Sequence, residues 1–218
     1  MHELWRGNAN AWECDELGHL NVRAYAARAM EAAADLAERL GMHEAGSPRA
    51  TAILSPRRMH VRFSAEVRPG APLVIDGAVT GRGEHWIEAA LVMRNAATGN
   101  VSAGFRLILD HMSPRSRRVF PFPRRFDSAF EALAAEAPPE TAPRGLLWEP
   151  PGVTPTPAQA VSMGFETTGR GRIRAGDVDV FGRMRPELLL GKVSDSAVHF
   201  SRGFPELWAA HAAGDASS

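Results

Sequence analysis

The sequence is poor in three features that would place it in a specialised class of protein. Cys14 is the only cysteine, so the chain forms no internal disulfide, and we expect a reducing, cytoplasmic environment. No segment approaches the run of about 18–20 apolar residues that a membrane-spanning helix needs, and the first residues lack the pattern of a secretory signal. The 25 basic residues balance the 25 acidic ones, so no net charge attracts nucleic acid or a membrane surface. We therefore expect a globular protein that binds neither.

The clearest periodic pattern lies in residues 21–41. Asn21 is placed to cap the start of a helix there, and Gly41 follows its end. Alanine dominates the apolar face, and its small side chain permits close packing, so we predict a long central helix wrapped by a sheet. The apolar residues recur at the three- and four-residue intervals of one helix face: Val22, Tyr25, Ala26, Ala29, Met30, Ala33, Leu36, Ala37 and Leu40.

Four segments after this helix predict β-strands. Apolar and polar residues alternate in 58–67 and 101–109, as half-buried strands require, and 73–80 and 86–94 are also strand-like. Turn residues separate consecutive segments, which favours antiparallel neighbours in a meander. A long helix followed by such a meander predicts an α+β fold.

A proline-rich stretch divides the chain. Ten of the 16 prolines lie in residues 113–157, Pro150 and Pro151 among them, and only 128–136 is predicted to be helical there. We interpret this stretch as a linker. The predicted organisation is a domain over 1–112, a linker over 113–160 and a second unit over 161–218.

A nine-residue pattern occurs twice. Residues 13–21 read Glu-Cys-Asp-Glu-Leu-Gly-His-Leu-Asn, and residues 177–185 read Asp-Val-Asp-Val-Phe-Gly-Arg-Met-Arg. Each copy follows an extended segment, at 4–12 and 165–174, and precedes a helical pattern, so we predict strand, tight loop and helix twice. The residues after 200 are too few for a second sheet. The second unit is therefore shortened, docks onto the first unit or is completed by another chain.

The pattern Asp15-x-x-Gly18-His19-x-Asn21, followed by a long helix and four strands, resembles the hotdog-fold acyl thioesterases. The resemblance is to the 4-hydroxybenzoyl-CoA and acyl-carrier-protein thioesterase types. It covers residues 4–111 and recurs more weakly over 165–200, which is similar to the tandem double-hotdog enzymes with an incomplete second copy. It implies an antiparallel sheet around the helix, and paired units that form sites at their interface. It also implies an acyl-CoA or acyl-carrier-protein substrate. We further expect a homo-oligomer, because the second unit lacks a sheet of its own.

The resemblance assigns roles to the residues of the pattern. Asp15 matches the catalytic carboxylate, Gly18 the turn glycine, and His19 and Asn21 the His and Asn at the helix entrance. In the second copy Asp179 and Gly182 match the same positions and form a candidate second site. That copy departs from the family pattern, because Arg183 and Arg185 replace the His and the Asn.

These residues can perform thioester hydrolysis. A carboxylate beside a thioester carbonyl acts as a general base toward water or attacks directly. Unpaired N–H groups at a helix start stabilise the oxyanion. We therefore predict an acyl thioesterase with Asp15, Asn21 and His19 as catalytic residues, and no metal or cofactor. The residues predicted to contact substrate are Gly18, Leu20 and Tyr25.

Other interpretations of the same residues stay open. Asp15 also fits an acid that complements the helix dipole, and Asn21 a simple N-cap. Cys14 is disfavoured as a nucleophile because strand alternation turns it away from Asp15. The arginines at 115–118 and 124–125 fit either a solvated surface or a site for substrate phosphates. A non-catalytic protein that binds acyl thioesters is the main alternative function. An enoyl-thioester hydratase is disfavoured, since its Asn-Pro-x-His stretch is missing.

Overall fold

The computed structural model describes residues 1–145, 148, 154–199 and 209. The predicted linker residues Pro150 and Pro151, and the predicted helix end at Phe200, lie outside the described residues. The fold is α+β, as predicted. Its strands are β1 (His2–Asn8), β2 (Ile53–Phe63), β3 (Pro72–Arg82), β4 (Trp86–Asn95) and β5 (Val101–Met112), and its helices are α1 (Val22–Arg39), α2 (Asp127–Leu133), α3 (Pro157–Ser162) and α4 (Glu187–Ser196).

Helix α1 begins and ends where its sequence predicts. The Asn21 side chain accepts a 2.9 Å hydrogen bond from the Arg23 N–H, so it is an N-cap. Gly41 has a φ of 88°. Its N–H donates to the Glu38 carbonyl and the next N–H, of Met42, donates to the Ala37 carbonyl, both at 2.9 Å. This is the Schellman ending, which needs a left-handed residue after the helix.

The five strands form one antiparallel sheet in the order β1-β3-β4-β5-β2. The predicted meander is wrong for β2, because only β3, β4 and β5 follow one another. Strand β2 pairs with β5 at the far edge, and β1 pairs with the free side of β3. The reason lies just before β3, where Ala9 exchanges backbone hydrogen bonds with Gly70 and Ala71. This contact aligns the incoming chain with β1 instead of β2.

Strand β2 is also displaced from its predicted bounds of 58–67. It ends at Phe63 because the N–H groups of Ser64 and Ala65 both donate to one carbonyl, that of Ser102, at 2.9 and 3.2 Å. Two donors on one acceptor end the regular ladder. At its start, an irregularity between Pro56 and Arg58 interrupts the alternation. The sequence pattern therefore did not predict the first five residues of β2.

The sheet wraps around α1, as predicted. The side chains of Ala26, Ala29, Ala32 and Leu36 are fully buried. Alanine on this face lets the helix backbone approach the sheet closely, while larger residues of the strands fill the remaining space. The core on the helix side of the sheet includes Leu73, Ile75, Ile87, Leu91, Met93, Phe105, Leu107 and Leu109.

The predicted strand at 165–174 is wrong for these described residues, none of which is in a strand. Phe165 and Ile173 are exposed. A strand requires a neighbour that pairs with its backbone groups, and no described strand runs beside this segment. The helix after it, α4, packs against α1. Arg23 lies over Gly191, with its Cδ 3.0 Å from the position a Cβ would take there.

The linker crosses the face of the sheet opposite α1. Arg62 donates a 3.0 Å hydrogen bond to the Pro139 carbonyl, and Trp148 lies against Arg58 and Arg106. Helix α2 falls within the predicted 128–136 apart from its first residue, Asp127. Among the described helices, none has the length and apolar character to span a membrane.

Candidate active site

Residues 15–19, here called loop 1, form a tight turn just before α1. The Asp15 N–H donates to the His19 carbonyl at 2.8 Å, and the Gly18 N–H donates to the Asp15 carbonyl at 3.0 Å. Gly18 has a φ of 73°, which favours glycine at this position. The Asp15 Oδ1 atom accepts from the N–H groups of Leu17 and His19 at 3.0 and 2.9 Å. Within the described chain Asp15 Oδ2 accepts no hydrogen bond.

The entrance of α1 adjoins loop 1. The Asn21 N–H donates to the Glu13 carbonyl at 2.8 Å, and the Ala24 N–H donates to the Asn21 carbonyl at 2.8 Å. The Arg23 N–H donates to the Asn21 side chain. Among the first three residues of α1, only the Val22 N–H therefore has no acceptor within the described residues. A first-turn N–H at the positive end of a helix stabilises negative charge.

His19 lies beside the segment after β2. Its Nε2 is 3.0 Å from Glu66 Oε2, but this nitrogen is buried and has no hydrogen-bond partner among the described residues. The Leu20 N–H, which follows loop 1, donates to the Val67 carbonyl at 2.8 Å and joins the chain to that segment. Within the described residues no hydrogen bond joins the His19 ring to Asp15, and the catalytic role of His19 stays a prediction.

Residues 179–183, here called loop 2, have the same backbone hydrogen bonds as loop 1. The Asp179 N–H donates to the Arg183 carbonyl at 2.8 Å, the Gly182 N–H donates to the Asp179 carbonyl at 3.0 Å, and Gly182 has a φ of 72°. Asp179 Oδ1 accepts from the N–H groups of Phe181 and Arg183. The two loops therefore differ in their side chains and not in their backbone.

The side chains make loop 2 chemically different. Arg183 Nε and Nη2 donate to Asp179 Oδ2 at 2.9 and 2.6 Å. Burial opposes ionisation of this carboxyl, but the hydrogen bonds from Arg183 outweigh it and lower the pKa of Asp179. The residue that corresponds to Val22 is Pro186, which has no N–H to donate. Loop 2 therefore has neither a free carboxylate oxygen nor the matching oxyanion donor.

Leu20 and Tyr25 lie in the hydrophobic core. The Tyr25 hydroxyl donates to the Ala65 carbonyl at 3.4 Å, its ring packs edge-on against Phe63, and burial raises the pKa of Tyr25 to about 12. Neither side chain lines a described cleft, and their predicted contact with substrate stays a prediction.

A cleft of about 990 Å³ lies between α1, loop 2 and α4. Its volume falls at the upper end of the range for small-molecule sites. Asn21 and Asp179 line this cleft, whereas Asp15, Gly18, His19 and Gly182 do not. None of residues 15–19 lines the cleft, but the residues on either side of loop 1 do: Glu13 and Cys14 before it, here called the stem of loop 1, and Asn21 at the helix entrance. Its apolar wall includes Trp12, Ala27, Met30, Ala34, Leu54, Phe181 and Met184.

The wall of the cleft holds an ionic network that the sequence pattern did not single out. Arg28 forms ion pairs with Glu13 and with Glu31, and its guanidinium lies over the Trp5 ring. Burial opposes the charges, but the hydrogen bond between Glu13 and Arg28 lowers the pKa of Glu13 and raises that of Arg28. The three-residue spacing of Arg28 and Glu31 was the only local signal. No group of three or more His, Cys, Asp or Glu side chains that could hold a metal occurs in the described residues.

A long helix enclosed by an antiparallel sheet, with an Asp/Gly loop at the helix entrance, defines the class of hotdog-fold thioesterases. Residues 9–130 match the family model of the thioesterase-like superfamily. The chain belongs to this superfamily and is a thioester hydrolase. No curated protein sequence matches the chain.

Solved structures share the fold. A Lactobacillus plantarum protein assigned as an oleoyl thioesterase is 16% identical with a TM-score of 0.62, over 88% of this chain and 70% of that one. A Thermus thermophilus thioesterase complexed with coenzyme A and Zn is 18% identical, with a TM-score of 0.50, over 59% and 92% of the two chains. A 1,4-dihydroxy-2-naphthoyl-CoA thioesterase from Synechocystis is 14% identical, also with a TM-score of 0.50, over 59% and 94%.

Proposed function

We propose that this protein hydrolyses an acyl thioester of coenzyme A or acyl carrier protein in the cytoplasm, with Asp15 as the general base or nucleophile. One observation carries the proposal. Within the described residues, loop 1 combines a carboxylate oxygen that accepts no hydrogen bond with a free N–H at Val22 in the same helix entrance. In loop 2 the Arg183 side chain occupies the matching carboxylate oxygen, and Pro186 stands in the position of Val22.

In the general-base route, Asp15 Oδ2 takes a proton from water as the water oxygen attacks the thioester carbonyl. The Val22 N–H donates to the oxyanion that forms. When the carbon–sulfur bond breaks, the proton held by Asp15 passes to the leaving thiolate, and the carboxylic acid departs. Asn21 fixes the helix entrance through its cap and its 3.3 Å hydrogen bond to Ser194.

The surroundings of loop 1 support a homo-oligomer. Trp12, Leu17 and Phe63 are exposed beside it. Loop 2 contacts the start of β2, where Arg183 donates to the Ser55 hydroxyl at 3.1 Å. A second copy of the chain that covered loop 1 would enclose Asp15 and bury these apolar side chains. Sedimentation at a monomer mass over the whole concentration range of the assay would contradict this part of the proposal.

The decisive test replaces Asp15 with Asn. The amide oxygen can still accept the hydrogen bonds of Leu17 and His19, so we expect the thermal unfolding midpoint to change little. Loss of the base should lower kcat by about 10²- to 10⁴-fold. The measurement is thiol release from acyl-CoA substrates with short, aromatic and long acyl groups.

Asp179→Asn is the matched control, because it alters the same backbone turn in the loop whose carboxylate is already paired with Arg183. We expect near-normal kcat from it. Full activity of Asp15→Asn, or a loss of activity confined to Asp179→Asn, would refute the assignment of the base to loop 1.

The non-catalytic alternative that the sequence left open is not retained, because the chain belongs to the thioesterase-like superfamily. Asp15 does not line the cleft, whereas Asn21 does, so the test of Asp15 decides whether the base comes from loop 1.

A further inference from the structure

Ser194 is a polar residue on the face of α4 that packs against α1. Gly191 precedes it by three residues, so the two share this face, and Arg23 of α1 lies over Gly191. The Ser194 oxygen lies 3.3 Å from Asn21 Nδ2. Its neighbours on α4, Gly191 and Asp195, line the cleft. A hydroxyl group of the second unit therefore lies at the entrance of α1.

The hydrogen bonds of Asn21 fix the direction of this contact. Asn21 Oδ1 accepts from the Arg23 N–H at 2.9 Å, so the amide nitrogen is the atom that faces Ser194. An amide nitrogen only donates, so the Ser194 oxygen accepts and its own hydrogen points elsewhere. A hydroxyl whose oxygen already accepts a hydrogen bond is also a stronger donor.

The Ser194 hydroxyl hydrogen is not used within the described part of the chain. A serine in a helix often donates to the carbonyl of the preceding turn. On the same helix Ser196 does so, to the Val193 carbonyl at 2.9 Å, and on α3 Ser162 donates to the Gln159 carbonyl at 2.8 Å. Ser194 makes no such bond to a described residue, and its one hydrogen bond there is the one it accepts from α1. Its hydrogen is therefore available to a ligand at the entrance of α1.

Loop 2 has no matching hydroxyl. The gapless alignment of the two nine-residue patterns, continued into the helices that follow, pairs Asn21 with Arg185 and Met30 with Ser194. Met30 and Arg185 both line the cleft beside loop 2, but a thioether does not donate a hydrogen bond. The loop whose carboxylate is paired with Arg183 thus also lacks the hydroxyl, whereas the loop with the unpaired carboxylate oxygen has one.

We propose that the Ser194 hydroxyl is a second donor to the oxyanion, so that the second unit supplies a catalytic residue to the site at loop 1. The inference rests on the proposed function. The Val22 N–H and the Ser194 hydroxyl are both attached to Asn21, one through the peptide bond and the other through the hydrogen bond. As water attacks, the thioester carbonyl oxygen gains charge and both groups donate to it. Ser194 keeps its proton throughout, and the proton that reaches the thiolate comes from Asp15.

The kinetics of Ser194→Ala and Ser194→Thr proteins test the proposal. With butyryl-CoA we expect Ser194→Ala to lower kcat by about 10²-fold, as loss of one oxyanion donor does, and to leave KM nearly unchanged. Ser194→Thr keeps the hydroxyl and should retain most of the activity. Ser196→Ala is the matched control, because it removes a hydroxyl of the same helix that donates to the helix itself. Its kcat should equal that of the unaltered protein.

A substrate analogue that resists hydrolysis separates donation to the carbonyl from a structural role. In this analogue of butyryl-CoA a methylene group replaces the sulfur, so the carbonyl is kept. A hydrogen bond to a carbonyl lowers its infrared stretching frequency. We expect the frequency to fall when the analogue binds, to fall less in Ser194→Ala and to recover in Ser194→Thr. A lower thermal midpoint and kcat of Ser194→Ala with an unchanged frequency would show that Ser194 only supports the fold, and would overturn the proposal.

The outcomes for Ser194 and Asp15 are distinguishable. The frequency is measured without hydrolysis, so full activity of Asp15→Asn would refute only the assignment of the base. Loss of activity in Asp15→Asn, together with an unchanged kcat in Ser194→Ala, would refute only the second donor. A protein that releases no thiol from any acyl-CoA would refute both proposals.

Discussion

His111 is a histidine that the fold keeps out of water. Only 1% of its surface is exposed, its Nδ1 lies 2.9 Å from the Phe120 carbonyl oxygen, and its ring stacks on Phe122 with centroids 4.4 Å apart. Burial lowers the pKa of His111, and Arg125 adds to this effect, while the backbone hydrogen bonds oppose it. His60 has a pKa lowered by burial and by Arg106 and Arg62.

These histidines predict that the protein loses stability in weak acid. Below about pH 6.5 the unfolded chain takes up protons that the folded protein resists. The free energy of unfolding therefore keeps its full value above that pH. It falls as the pH drops toward the pKa values that the two histidines have in the folded protein. We expect a lower thermal midpoint at about pH 5.5 than at about pH 7.5.

The His111→Gln protein should show a smaller difference between the two pH values, measured by calorimetry under the same buffers. The lowered pKa values of Glu13 and Asp179 act only at more acid pH, where carboxyl groups take up protons. If the thermal midpoints at the two pH values differed as much in His111→Gln as in the unaltered protein, His111 would not be the cause of the acid destabilisation.

Between elements, the ion pair of Glu13 and Arg28 joins the stem of loop 1 to the middle of α1. Both side chains are 17% exposed. Glu13 also caps its own short turn, where its Oε2 accepts from the Asn10 side chain at 2.9 Å, and its carbonyl accepts from the Asn21 N–H. The pair therefore sets the position of loop 1 relative to the helix entrance.

A double-mutant cycle with Glu13→Gln and Arg28→Met measures this connection. We expect a coupling free energy of about 1–3 kcal/mol in chemical unfolding, because the pair is mostly desolvated and hydrogen-bonded. The exposed pair of Asp35 and Arg39 on α1 is the comparison, with an expected coupling of about 0.3–0.5 kcal/mol. Equal coupling in the two pairs would show that Glu13 and Arg28 behave as a surface pair.

Local signals account for the elements that the sequence predicted well. The cap at Asn21 and the left-handed Gly41 are specified within a few residues of the ends of α1, and both loops follow from their Asp and Gly spacing. Strand order and the end of β2 depend on Ala9 and Ser102, which lie far away in the chain, so alternation could not reveal them. For the same reason, the pattern could not show that Leu20 lies in the core or which residues line the cleft, although it did place Tyr25 on the buried face of α1.

At the scale of the whole molecule, the linker makes the outer face of the sheet part of the interior. Both faces of β4 are largely buried, and Gly104 of β5 lies directly beneath the linker. A Cβ at Gly104 would overlap the carbonyl oxygen of Glu140. Trp148 lies between two cations, with its ring centroid 4.9 Å from the Arg58 guanidinium and 4.3 Å from that of Arg106.

Gly104→Ala should therefore destabilise the protein by about 1–3 kcal/mol, because the linker must move to admit the methyl group. The matched control is Gly81→Ala in β3, where the added Cβ would lie 3.6 Å from Glu88, an ordinary contact distance. Urea unfolding of the two variants measures the difference. Equal midpoints for the two would show that the linker yields at Gly104 without cost.

The covered outer face of the sheet also limits how copies of this protein can associate. Two sheets can stack back to back only where their outer faces are bare, and here the segment after α2 already occupies that position. Over β4 and β5, where this segment lies, back-to-back contact between copies is therefore blocked, which favours contact through the helix side of the molecule or along the strand edges.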